Sequence, residues 1–275
     1  MKLSGSPGKW PCRNEPAIDM KHRARKRFGQ NFLTDELLVQ QIVDAINPAT
    51  GQLIMEIGPG QAALSLPLAE SGAELHLLEI DRDLAARLHS LFLTRDQVHL
   101  HIGDALKTDF AVMTGGRPFR LVGNLPYNIS TPLLFHVLKW NELVIDMHFM
   151  LQQEVVKRMA AEPGSKAWGR LSVMVQYHCQ VTSLFSVPPE AFTPAPRVQS
   201  AIVRLVPHEQ PPVEIRDMES FRRLVSQVFS MRRKTIRNSL RGLLDDTAIE
   251  SLGIDPGIRP ESLSLAQFAA LSKLT

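Results

Sequence analysis

Cysteine is almost missing: Cys12 and Cys179 are the only two among 275 residues. Their number and separation exclude a disulfide framework, a thiolate metal cage and a C-x-x-C redox pair. Long apolar runs are missing as well. None approaches the roughly 18 residues of a membrane span, so no membrane partner is expected. The first 19 residues hold Lys9 and Arg13 but no apolar segment, which argues against a secretory signal. They are expected to form a flexible extension, with Met20 available as an alternative start, and the chain to be cytoplasmic and monomeric. A large excess of one charge is also absent, the net value being +3.

What is present is asymmetric. Residues 51–110 hold 9 acidic and 4 basic side chains, whereas residues 21–27 hold 5 basic ones and no acid. A second basic cluster runs over 232–241. An acidic middle between basic ends suits a cationic cofactor and a polyanionic partner. Apolar runs at 53–57, 74–80, 98–102 and 120–123 read as strands, separated by helical patterns over 61–71 and 84–93, the latter with Leu84, Leu88 and Leu91 on one face. Strands alternating with helices predict an α/β chain with a parallel, Rossmann-like sheet. Further strands are expected at 146–151, 180–185 and 198–205. A proline-rich stretch at 207–212 reads as a linker to helices over 220–244 and 263–274. The division expected is therefore an extension (1–19), an α/β cofactor domain (20–207) and a small α-helical domain (208–275).

The first strand stops at Gly58-Pro59-Gly60, a turn that a dinucleotide-binding sheet would share. Glu56, two residues earlier, would repel a pyrophosphate but suits a sulfonium and an ammonium, which points to S-adenosylmethionine. Glu79 ends the second strand, where its oxygens can accept the ribose hydroxyls, and Asp104 follows the third, where it can accept an adenine amine. Each acid alone could be a helix cap. Three at successive strand ends favour a ligand.

The fourth strand ends in Asn124-Leu125-Pro126-Tyr127. The exocyclic amine of adenine is a poor nucleophile because its lone pair is delocalised into the ring. A catalyst must hold both N–H groups and aim the lone pair at the incoming carbon. The Asn124 side-chain oxygen and the Leu125 carbonyl can accept those hydrogens, Pro126 stiffens the backbone, and Tyr127 offers a face for a flipped base. No Ser–His–Asp or metal-ligand set accompanies the loop. The 9 histidines are scattered, and His99 and His101, alternating on one strand face, read as structural. No metal is expected.

The motifs Glu56-Ile57-Gly58-Pro59-Gly60, Leu78-Glu79-Ile80-Asp81 and Asn124-Leu125-Pro126-Tyr127-Asn128-Ile129-Ser130 resemble those of the bacterial small-subunit ribosomal RNA adenine dimethyltransferase family. So do Arg25-Lys26-Arg27-Phe28-Gly29-Gln30-Asn31-Phe32-Leu33 and Arg232-Arg233-Lys234-Thr235-Ile236-Arg237-Asn238-Ser239-Leu240. The likeness covers residues 20–273. It implies S-adenosylmethionine-dependent N6,N6-dimethylation of two adjacent adenosines in the 3′-terminal hairpin of 16S rRNA, within the assembling small ribosomal subunit. It also implies cofactor contacts from Asn31, Leu33, Gly58, Glu79, Asp104 and Asn124, and a second stacking aromatic at Phe192, which the residues alone would place in the core.

For RNA contact the candidates are Arg23, Arg25, Lys26 and Arg27, and then Arg233, Lys234, Arg237 and Arg241. Arg233, Arg237 and Arg241 recur every fourth residue and are expected to share one helix face. Three other readings use parts of this pattern. A nicotinamide oxidoreductase would not want Glu56 or the Asn124 loop. A large-subunit rRNA methyltransferase would share both sites but not the C-terminal segment. A non-enzymatic assembly factor would need neither the acids nor an intact loop.

Overall fold

Strand β2 (Leu53–Ile57) is buried at all five positions, as an apolar run without alternation dictates for a strand covered on both faces. The computed structural model in which this is seen describes residues 30–127 and 129–275. Cys12, the extension 1–19, the candidates Arg23, Arg25, Lys26 and Arg27, and Asn128 lie outside the described residues.

Five parallel strands stand in the order β4 (Val98–Ile102), β3 (Glu74–Glu79), β2, β5 (Phe119–Asn124), β6 (Val144–Gln152). The sheet continues with β9 (Ser200–Pro207) and then β7 (Cys179–Val187), both in antiparallel pairings. The sheet is thus mixed, and the expectation of a parallel sheet holds only for its first five strands. The connection from β7 to β9 explains the change: α6 (Gln153–Met159) and α7 (Arg170–His178) carry the chain from β6 across to β7, but residues 188–199 hold no crossover helix, so β9 returns antiparallel between β7 and β6. A separate pair joins β1 (Phe32–Leu33) to β8 (Phe192–Thr193).

Helices α1 (Glu36–Ile46), α2 (Ser65–Glu70) and α3 (Arg82–Leu91) cover one face through Ile42, Ile46, Leu68 and Leu88. Helices α4 (Phe110–Thr114), α5 (Ser130–Val137), α6 (Gln153–Met159) and α7 cover the other. Asp35, Asp81 and Asp109 each accept a backbone N–H at the start of their helices, the capping role that short acidic side chains favour. The helix expected over 61–71 begins only at Ser65, because Gly60 and Ala62 take φ of +58° and +68° and hold the turn open.

The C-terminal part comprises α8 (Met218–Ser230), α9 (Ile236–Ser239), α10 (Asp246–Glu250) and α11 (Leu265–Ser272). Phe221, Leu224 and Phe268 share one buried cluster with Trp168, Val173 and Met174, so these helices pack onto α7. Trp168 Nε1 donates to Leu263 O at 2.9 Å. The single helix expected over 220–244 is broken. The chain turns at 231–235, and the Ile236 and Arg237 N–H groups donate to Ile258 O and Pro256 O. Arg233 and Lys234 therefore lie in a turn, Arg237 on α9 and Arg241 in the turn beyond it, so they do not share a helix face. No helix among the described residues is long and apolar enough to cross a membrane.

Candidate active site

The strand order reverses at β2, since β3 and β4 lie on one side of it and β5 on the other. Open α/β sheets bind ligands beyond the carboxyl ends of the strands at such a point. A cavity of about 270 Å³ opens there, lined among others by Leu33, Glu56, Gly58, Glu79, Asp104 and Asn124.

Two buried carboxylates dominate one half. Glu56 is 2% exposed and accepts the Ser65 hydroxyl at 2.6 Å. Burial, against the lowering effect of Ser65 and with help from Glu79, raises its pKa to about 7. Glu79 is also pushed above its ordinary value, burial first. Its Oε2 accepts Gly60 N–H at 3.2 Å and its Oε1 accepts Asp81 N–H at 2.9 Å. Ile80 N–H also bonds this carboxylate, which can accept about four hydrogen bonds and so keeps room for a hydroxyl. Asp104 Oδ1 accepts Leu106 N–H at 3.0 Å, leaving Oδ2 as the other acceptor. No cation among the described residues pairs with Glu56 or Glu79. A ligand carrying positive charge and hydroxyls fits this set, and one carrying phosphates does not.

The other half is the loop after β5. Gly123 is the residue that brings β5 close, since a Cβ there would meet Ile57 O at 2.7 Å. Asn124 Nδ2 donates to Asn31 O at 2.9 Å, which commits the amide nitrogen and turns Oδ1 to the opposite side. The Tyr127 hydroxyl lies 2.8 Å from Ser200 Oγ, so its ring is tethered to β9. Asn124, Leu125, Pro126 and Tyr127 all line the cavity.

The segment 30–33 crosses over this edge. Gln30 Nε2 donates to Asp81 at 3.3 Å, Asn31 O holds Asn124, and Leu33 pairs with Phe192. Phe192 itself is 3% exposed and does not line the cavity, its apolar ring being packed beside Leu33. The structure therefore gathers Asn31, Leu33, Gly58, Glu79, Asp104, Asn124, Leu125 and Tyr127 and leaves Phe192 behind the wall. Arg233, Lys234, Arg237 and Arg241 are exposed and apart from the cavity, with Arg237 paired to Asp246 at 2.7 Å. Ser65, Gly123 and Ser200 were not singled out in the sequence. Only the small residue one position before Asn124 could have hinted at the close approach.

A family model described as ribosomal RNA adenine dimethylase matches residues 21–275. A relative from Chromohalobacter salexigens, named ribosomal RNA small subunit methyltransferase A, is 52% identical over 95% of this chain and 94% of its own. One of the same name from Pseudomonas putida is 55% identical over 92% and 95%. Among solved structures, 23S rRNA methyltransferase ErmE has a TM-score of 0.72 over 89% of this chain and 99% of its own. A dimethyladenosine transferase from Plasmodium falciparum has 0.71 over 87% and 95%. At 24% identity these two establish the fold, a Rossmann-like methyltransferase sheet. The family match takes in every strand end and loop around the cavity: the chain belongs to the ribosomal RNA adenine dimethylase family and is an S-adenosylmethionine-dependent methyltransferase.

Proposed function

We propose that the protein dimethylates the N6 amines of two adjacent adenosines in the 3′-terminal hairpin of 16S rRNA in the assembling small subunit. The observation that carries this is Asn124, held by Asn31 O at 2.9 Å with its oxygen end free to face a base, at the rim of a cavity built for a cation. When bound, S-adenosylmethionine supplies a methyl group on a positively charged sulfur. Glu79 holds the ribose hydroxyls, Asp104 the adenine amine, and Asn31, Leu33 and Gly58 complete the walls. Asn124 Oδ1 and Leu125 O accept the two N–H groups of the target amine, and Tyr127 carries the base on its ring. Position and orientation supply most of the rate. The proton becomes acidic as the nitrogen is alkylated and leaves to water, so this step calls on neither a strong base nor a metal. Stacking on Phe192 takes a shift of the β1–β8 pair that uncovers its ring.

The exposed Arg233, Lys234 and Arg241, with Arg237 once it leaves Asp246, are proposed to meet RNA phosphates together with Arg23, Arg25, Lys26 and Arg27. Residues 208–275 serve as the RNA-binding part, and the protein works as a cytoplasmic monomer. Relatives at 52% and 55% identity named for the small subunit, against 24% for the 23S enzyme, favour the small subunit. The test is transfer of labelled methyl groups to small and large subunits from cells lacking this modification. Incorporation into small subunits alone is expected, and incorporation into large subunits alone would reverse the assignment.

Two binding results follow from the carboxylates. Glu79→Ala should weaken cofactor binding by about 1.5–3 kcal/mol, the worth of hydrogen bonds to a charged group. Calorimetry on a folded variant with unchanged affinity would remove Glu79 from the ribose. Glu56, with a pKa near 7 in the free protein, must be ionised to favour a cation. Affinity should therefore rise with pH, by up to about tenfold per unit below 7, and level off above it. Glu56→Gln should flatten this dependence, and a flat profile in the unaltered protein would contradict the assignment.

A further inference from the structure

Away from the methyl-transfer cavity, the β3–β4 pair gathers donor side chains on one face. His76 stands opposite His99, and Leu78 opposite His101, so all three histidines project from the same side, with Glu74 two residues before His76. Glu74 Oε1 lies 3.0 Å from His76 Nε2 and 3.9 Å from His99 Nε2. The three ligand atoms lie within 4.8 Å of one another. Zinc bound tetrahedrally at about 2.0–2.1 Å holds its nitrogen and oxygen ligands roughly 3.3 Å apart. The two shorter spacings bracket that value, and His99 and Glu74, at 46% and 31% side-chain exposure, have room to close the third.

The groups behind these donors are of the kind that orient metal ligands. His101 Nε2 lies 3.1 Å from His76 Nδ1 and can fix the tautomer that leaves Nε2 with its lone pair. Arg117 Nη1 donates to Glu74 Oε2 at 2.8 Å, which leaves Oε1 as the ligand once Nη2 gives up its own bond to that oxygen.

We propose that Glu74, His76 and His99 form a binding site for a divalent transition-metal ion of the zinc type, with water completing the tetrahedron and His101 and Arg117 as its supports. Such an ion would fasten edge strand β4 to β3. Side chains alternate along a strand, so Glu74 and His76 point to the face opposite Glu79. The site therefore acts on stability and is independent of the cofactor.

The test uses untagged full-length protein stripped with a chelator, titrated with zinc by calorimetry and with cobalt by visible absorption. One ion per chain is expected, with a tetrahedral cobalt spectrum and a thermal midpoint that rises with zinc. His99→Gln and Glu74→Gln should each weaken zinc binding by more than about tenfold, and His101→Gln by about tenfold as an outer-shell change. Cofactor affinity should be equal with and without zinc. Absence of saturable binding overturns the site, as does zinc binding that survives both His99→Gln and Glu74→Gln. Neither result bears on the methyl-transfer assignment, which the subunit assay tests separately.

Discussion

Replacing Asn124 with alanine is expected to slow methyl transfer to small-subunit rRNA by about 10²–10³-fold, the cost of removing one hydrogen-bonding group preorganised at a reacting centre. The side chain does two things at once. Its nitrogen is tied to Asn31 O, which freezes the amide plane, and its oxygen is thereby presented to the target amine. Alanine removes both the acceptor and the anchor of segment 30–33. Asn124→Asp keeps an acceptor oxygen but cannot donate to Asn31 O, so it should recover only part of the rate. The effect belongs in turnover, because the RNA is gripped by basic residues elsewhere. Single-turnover rates and filter binding separate the two. Loss of RNA affinity with an unchanged rate would place Asn124 in RNA binding instead of catalysis.

The second large effect is on stability. Arg120 on β5 is 7% exposed and donates to Asp146 on β6 at 2.8 and 3.0 Å. It also donates to Ile46 O at 2.6 Å, Asn47 O at 3.2 Å and Gln52 Oε1 at 3.0 Å. One guanidinium thus ties the end of α1 and the start of β2 to the two strands that carry the catalytic loop. Asp146→Ala leaves that charge buried without its partner and should cost about 3–5 kcal/mol of folding stability. Arg120→Met leaves Asp146 beside Arg204, 3.3 Å away, and removes the buried cation, so it should cost less. Urea unfolding of both variants checks this. Equal losses would mean that the hydrogen bonds to the α1 carbonyls, not the uncompensated charge, set the cost.

The strand ends were readable because their signals are local. Glu56, Glu79 and Asp104 each sit within two residues of a strand end, and the Asn124 loop is contiguous. What could not be read depends on residues far apart. The pairing of Leu33 with Phe192 spans most of the chain, and it buries the ring that the family resemblance assigns to stacking. The helix expected over 220–244 has good helical composition throughout. It breaks because Ile258 and Pro256 offer carbonyls to the Ile236 and Arg237 N–H groups, a tertiary preference that overrides propensity. The approach of His76 and Glu74 to His99 was equally out of view, because it is set by the register of β3 against β4. The 3.6 period likewise misled for Arg233, Arg237 and Arg241, since a face requires an unbroken helix.

Methylation by this loop is proposed to fall on N6 of two adjacent adenosines in small-subunit RNA. Nucleoside mass spectrometry of 16S rRNA from unmethylated small subunits, incubated with the protein and S-adenosylmethionine, reads this out. N6,N6-dimethyladenosine is expected at two neighbouring positions of the 3′-terminal hairpin, with little formed in the same time by the Asn124→Ala variant. Methyl groups found on a ring nitrogen, on ribose or on a base other than adenine would contradict it.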